Sequence, residues 1–241
     1  MNFIEVFKKN KLSMILMAIT AALIITCIIL FKPDFIMVLP YFVSLVIGTL
    51  QASANRYAPL IGGFNSIFYA IVYYYLGLNG NALYALLVSF PLQIITFIRW
   101  QKNKYGSSTI FKKMSWLGRG ITAAIFVIAV IGFRVILIMM GGNQQLLDSM
   151  TTLFGILITV LTMLSYVEYS YLNPISVAVG LIMNFLLAFE VGGGTITLAE
   201  GGEKKIHIII FSIYSLICVT RGFFRIKKLY KEQQRTLRKE S

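Results

Sequence analysis

The sequence predicts an all-α, polytopic membrane protein with eight transmembrane helices. Three observations carry this. First, 58% of the 241 residues are hydrophobic and only 13% are charged, whereas soluble domains are roughly 45–50% apolar and about 25% charged. Second, the apolar residues gather in runs of about 20, the length that crosses a bilayer core as a helix. Third, the basic residues cluster between alternate runs, with 22 Lys and Arg against 9 Asp and Glu. The mean hydropathy of +0.79 excludes a soluble globular domain, a disordered chain and a disulfide-stapled secreted module.

The first run is Leu12–Phe31, stopped by Lys32-Pro33-Asp34, where proline cannot continue a helix. Lys8, Lys9 and Lys11 precede it as in a signal peptide. The run is too long for one, however, and no small-x-small site follows before Lys32, so a retained helix is expected. The next spans are Phe35–Gln51, Pro59–Leu76 and Ala82–Trp100, then Ile121–Met140, Met150–Val167, Pro174–Val191 and Ile206–Phe224. Pro91 should kink the fourth and free the Leu87 carbonyl. The segments left over are too short for a soluble domain. The expected organisation is an N-terminal cytoplasmic segment and extra helix (1–34), a first three-helix repeat (35–100) and a basic cytoplasmic loop (101–119). A linker helix (120–141), a second three-helix repeat (142–226) and a basic cytoplasmic tail (227–241) complete it.

Orientation follows from the distribution of Lys and Arg. With the N-terminus in the cytoplasm and eight crossings, 18 of the 22 basic residues fall inside. Both termini are therefore expected in the cytoplasm of a cell-membrane protein. The +13 net charge reads as a topology signal next to an anionic leaflet, and no nucleic-acid partner is expected. The loop Gln101–Arg119 has five basic residues and no acidic one, with Phe111, Met114 and Trp116 interspersed, a pattern suited to the headgroup region.

The repeat rests on the order of features. Pro59 and Gly77 stand 18 residues apart, as do Pro174 and Gly192, at an offset of 115. Each pair brackets a span, and each is followed by a short glycine-containing loop and a span that exits into basic residues. Spans two to four and six to eight then form two triples. The single span between them restores a common orientation, giving parallel repeats in a 3+1+3 core, a known transporter plan with substrate at the repeat interface.

Polar groups inside spans are candidate functional groups by default. Asn65, Gln93, Asn184 and Tyr214 lie within spans, as do Tyr69 and Tyr73, which share a helix face with Gly62. Interhelical hydrogen bonding is the competing role for the amides, and an aromatic belt is the competing role for Tyr73–Tyr75. Grouped at one depth, these side chains suit a neutral, planar, hydrogen-bonding small molecule. Arg134, within the fifth span, is expected to snorkel or to pair with Asp148 or Glu190. Glu168 lies at an inner edge, and no carboxylate chain suggests ion coupling. Cys27 and Cys218 read as buried hydrophobes, and His207, beside Lys204 and Lys205, as an interfacial ring. No Walker A, HExxH or GxSxG motif and no acidic metal cluster is present, so neither an enzyme nor a cofactor is expected.

The runs Gly62-Gly63-Phe64-Asn65 and Pro91-Leu92-Gln93, continuing through Phe97-Ile98-Arg99-Trp100-Gln101-Lys102-Asn103, resemble the PnuC-type vitamin transporters. So do Lys113-Met114-Ser115-Trp116-Leu117-Gly118-Arg119 and Tyr166-Val167-Glu168. The resemblance covers about residues 35–230. It implies a core related to the sugar-transporting SWEET proteins, and facilitated diffusion of nicotinamide riboside with cytosolic phosphorylation as the trap. A homotrimer is common in that family. Asn65, Gln93 and Trp100 carry over as substrate contacts. In the second half this chain has Tyr169, Tyr171 and Gly222 or Phe223 where the family tends to have tryptophan. The expected function is uptake of a B-vitamin or nucleoside, with nicotinamide riboside favoured, through Asn65, Tyr69, Tyr73, Gln93, Trp100, Asn184 and Tyr214. The alternatives are the substrate-capturing component of an ATPase-driven vitamin importer, and a scaffold or sensor acting through the basic tail.

Overall fold

The computed structural model describes residues 11–141, 144–192 and 195–240. The helices are α1 (Lys11–Phe31), α2 (Phe35–Ala52), α3 (Ala58–Tyr75), α4 (Asn79–Leu83), α5 (Phe90–Lys102), α6 (Trp116–Met139), α7 (Gln145–Met163), α8 (Tyr169–Ala188) and α9 (Ile206–Glu240). A π-helical stretch, Tyr84–Ser89, joins α4 to α5, so Asn79–Lys102 is one continuous rod. Among the described residues, seven helices are long and apolar enough to cross a membrane. The 18-residue α3 is not among them, because its four tyrosines and one asparagine, with two glycines, dilute its apolar content.

Six helices close into a ring, in the order α2, α3, α5, α7, α8, α9 and back to α2. The helix α1 packs outside against α9 and α2, and α6 packs outside against α7. Small residues permit the close approaches, as is usual where helices associate in lipid. At the α2–α9 seam a β-carbon at Gly48 would come within 2.8 Å of the Tyr214 ring. One at Gly222 would come within 2.8 Å of the Gln51 carbonyl oxygen. The α5–α7 side of the ring is held by polar contacts. Asp148 accepts from the Gly80 and Asn81 backbone N–H groups at 2.9 and 3.0 Å and from the Asn81 side chain. Its charge thereby caps the rod that begins at Asn79, where helix N–H groups lack internal partners.

Several helix ends differ from the expected spans, each for a local reason. The kink expected at Pro91 is absorbed by the π stretch, in which the Phe90 N–H reaches back to the Ala85 carbonyl. The helix α6 starts early, at Trp116, because Ser115 caps it by accepting from the Gly118 N–H at 3.1 Å. The helix α7 stops at Met163, before the left-handed residue Ser165 (φ 58°). Beyond that turn the Val167 N–H and the Ser165 carbonyl bond to Lys112. The helix α8 begins at Tyr169 and carries Pro174 inside it, whereas Pro59 sits in the first turn of α3. At its far end α8 gives way to a hairpin of β1 (Phe189–Gly192) and β2 (Thr195–Leu198).

The helix α9 runs on to Glu240, so the basic tail is helical. Its 35 residues make a rod of about 52 Å at 1.5 Å per residue, against a hydrocarbon core of roughly 30 Å. The projecting part clamps the basic loop. Gln233 accepts from the Phe111 N–H at 2.9 Å and donates to the Thr109 carbonyl at 2.8 Å. Phe111 is consequently buried rather than lying among headgroups, whereas Trp116 is 82% exposed. Arg134 is exposed, and its suggested partner Asp148 is engaged with Gly80 and Asn81 instead. His207 is buried, not interfacial. It packs edge-on against Tyr41, ring centroids 5.4 Å apart.

Candidate functional site

The ring encloses a cavity of about 320 Å³ lined by residues from all six of its helices, within the roughly 300–1,000 Å³ typical of small-molecule sites. None of its lining residues is charged. One end is aromatic. Tyr69 and Tyr73 stack at 5.5 Å between centroids, and Tyr41 meets Tyr69 edge-on at 5.4 Å. The Tyr73–Tyr75 triplet therefore divides. Tyr73 lines the cavity, while Tyr74 and Tyr75 are 71% and 68% exposed on the outer surface.

The middle is a band of amides and hydroxyls. The Gln93 amide donates to Ser89 Oγ at 2.6 Å and to Ser66 Oγ at 3.2 Å, and the two serine hydroxyls share a 2.8 Å bond. Gly62 makes this possible, since a β-carbon there would overlap Gln93 Oε1. Across the ring, the Asn184 amide donates to Ser212 Oγ at 2.9 Å. At the other end Trp100 lines the cavity and donates its indole N–H to the Thr162 carbonyl at 3.1 Å. Tyr169 stands beside it at 6.5 Å between centroids.

Of the seven residues expected to bind substrate, Tyr69, Tyr73, Gln93, Trp100 and Asn184 line this one cavity. Asn65 and Tyr214 face helix contacts instead. The Asn65 amide donates to the Pro40 carbonyl and Ser44 Oγ, at 3.0 and 2.8 Å. The Tyr214 hydroxyl donates to the Leu45 carbonyl at 2.6 Å and bonds Thr49 at 3.1 Å. The cavity also takes residues that single-position reading passes over. Thr151, Gly155, Thr159 and Thr162 form one face of α7, a stripe legible as spacings of three and four. Asn173 and Ser176 do the same on α8. Asn81 lines the cavity with its amide nitrogen committed to Asp148 and to Thr151 Oγ1, which orients its oxygen as the available acceptor.

Comparison with known proteins agrees with this architecture. A family model described as nicotinamide mononucleotide transporter matches residues 34–228. The chain belongs to that family. It is a multi-pass membrane protein of a transporter family, of the PnuC type that its motifs resemble. The crystal structure of the vitamin B3 transporter PnuC superposes with a TM-score of 0.72 at 18% identity, covering 92% of this chain and 91% of that one. At that identity the match speaks for the fold. No curated protein matches the sequence significantly. Within the fold, the glycine at 222 has a physical reason. The α9 backbone meets the Gln51 carbonyl there, and a tryptophan at that position would force α2 and α9 apart.

Proposed function

We propose that this chain mediates facilitated uptake of a vitamin B3 nucleoside, nicotinamide riboside, which cytosolic phosphorylation then traps. The observation that carries the reading is the uncharged cavity, with amides and hydroxyls at mid-depth and tyrosine rings beside them. The amide band suits the carboxamide and the ribose hydroxyls. Tyr69 and Tyr73 suit a pyridinium ring, which is planar but cationic rather than neutral as expected from the sequence, because a cation is attracted to aromatic faces. A mononucleotide carries a phosphate as well, and the lining offers no Lys or Arg to receive one. The ring supports a 3+1+3 reading, with α2, α3 and α5 as one triple, α7, α8 and α9 as the other, and α6 as the linker. The basic ends of α5 and α9 support both termini lying in the cytoplasm.

The test is uptake of labelled nicotinamide riboside, nicotinamide mononucleotide and thiamine into proteoliposomes holding the purified chain. Riboside entry without added ATP is expected, with the mononucleotide excluded. Equal entry of the mononucleotide would overturn the substrate reading. Binding without any entry would favour the importer-component reading.

A further inference from the structure

A second cavity, of about 520 Å³, lies outside the ring between the linker helix α6 and helices α7 and α8. Its walls are largely apolar, including Ala123, Phe126, Val127, Phe154 and Leu157. The helix α6 is almost wholly exposed, so the groove opens where lipid would be. Its polar end is built from Lys113, Arg119 and Glu168. The Glu168 carboxylate is used unevenly. Oε1 accepts from Arg119 Nη2 at 2.6 Å, from Arg119 Nε at 3.1 Å and from the Met114 N–H at 3.1 Å. Oε2 is buried and has no hydrogen-bond partner among the described residues, in a side chain that is 11% exposed. A buried polar atom left without a partner is costly and calls for a donor.

We infer that this groove is a binding site for an anionic phospholipid with a hydroxylated headgroup, phosphatidylglycerol. Charge complementarity selects it. Lys113 and Arg119 against Glu168 leave one positive charge at the groove mouth, and the phosphodiester supplies one negative charge. A headgroup hydroxyl donates to Glu168 Oε2 once that carboxylate turns toward the groove it lines, and an acyl chain fills the apolar length. Trp116, stacked under the Arg119 guanidinium at 4.9 Å, sits at the same end, where tryptophan marks the membrane interface. The site is independent of the substrate reading, because it shares no lining residue with the central cavity.

The experiment is native mass spectrometry of the full chain released from nanodiscs of equal parts phosphatidylglycerol, phosphatidylethanolamine and phosphatidylcholine. Selective retention of phosphatidylglycerol is expected. Lys113→Ala should weaken that retention about fivefold, the effect of one basic residue at an anionic surface. Ala123→Trp, which fills the chain-binding part, should abolish it. Both variants should elute as the wild type does in size exclusion, so that loss of lipid is not loss of fold. Equal retention of the three lipids, preference for the ethanolamine lipid, or retention untouched by both variants would overturn the proposal. So would a crosslink from residue 123 to a second copy in place of lipid.

Discussion

The two halves of the ring treat their polar side chains differently. In α3 and α5 the mid-span amides are already committed. Gln93 is held by Ser66 and Ser89, and Asn65 by Pro40 and Ser44. In α8 and α9 Asn184 is joined to Ser212 and Ser170 donates to the Val167 carbonyl, while Asn173, Ser176 and Ser215 line the cavity without a side-chain hydrogen bond among the described residues. One half presents a fixed edge and the other presents groups awaiting a partner. A fixed edge loses little conformational freedom when ligand arrives, which favours affinity. Adaptable groups opposite it can follow the ligand through a change of state.

The contrast depends on the two seams that hold the halves together, and these are where the largest effects are expected. Gly222→Trp places a large side chain against the Gln51 backbone. Overpacking of this kind costs about 3 kcal/mol, so the melting temperature should fall steeply and the size-exclusion peak should broaden. An unchanged melting curve would mean that the α2–α9 seam is looser than the contact implies. At the other seam, Asp148→Ala strips the N–H groups of Gly80 and Asn81 of their buried acceptor. A loss of roughly 1–3 kcal/mol is expected, smaller than at Gly222, with Asp148→Asn recovering part of it in the same thermal assay.

How much of this was legible in the sequence depends on what each feature is made of. Spans and their order follow from apolar length, which composition records directly. Gln93 was legible because a lone amide two residues after a proline in an apolar run is costly unless used. Asn65 and Tyr214 carry the same costly chemistry. The direction they face is set by how α2 packs on α3 and on α9, which no local pattern shows. The stripe of Thr151, Gly155, Thr159 and Thr162 was present as periodicity, but threonine in a membrane helix bonds its own backbone, as Thr162 does to the Ile158 carbonyl at 2.6 Å. Taken one at a time, such residues carry no signal. The burial of His207 depends on Tyr41, 166 positions earlier in the chain.

Within the cavity, the committed half should be the more sensitive. Gln93→Ala removes the amide that joins Ser66, Ser89 and the cavity, and transport efficiency for the riboside should fall about tenfold, near 1.4 kcal/mol. The melting temperature should stay near that of the wild type, because Ser66 and Ser89 still bond each other. Full uptake by this variant would remove Gln93 from the site while leaving the fold assignment intact.

Asn184→Ala should have the smallest effect, and its form matters more than its size. The lost bond to Ser212 is a single interhelical contact, worth about 0.6 kcal/mol in membrane proteins, or roughly threefold. If the α8–α9 side adapts, Asn173 or Ser176 can take over part of the contact with substrate, since neither is committed elsewhere. The half-saturating concentration should then rise slightly while the maximal uptake rate stays the same. The double variant Gln93→Ala with Asn184→Ala should cost little more than the sum of the two, because their hydrogen-bond networks share no member. A loss well beyond additive would show that substrate bridges the two halves and that the second half is as fixed as the first.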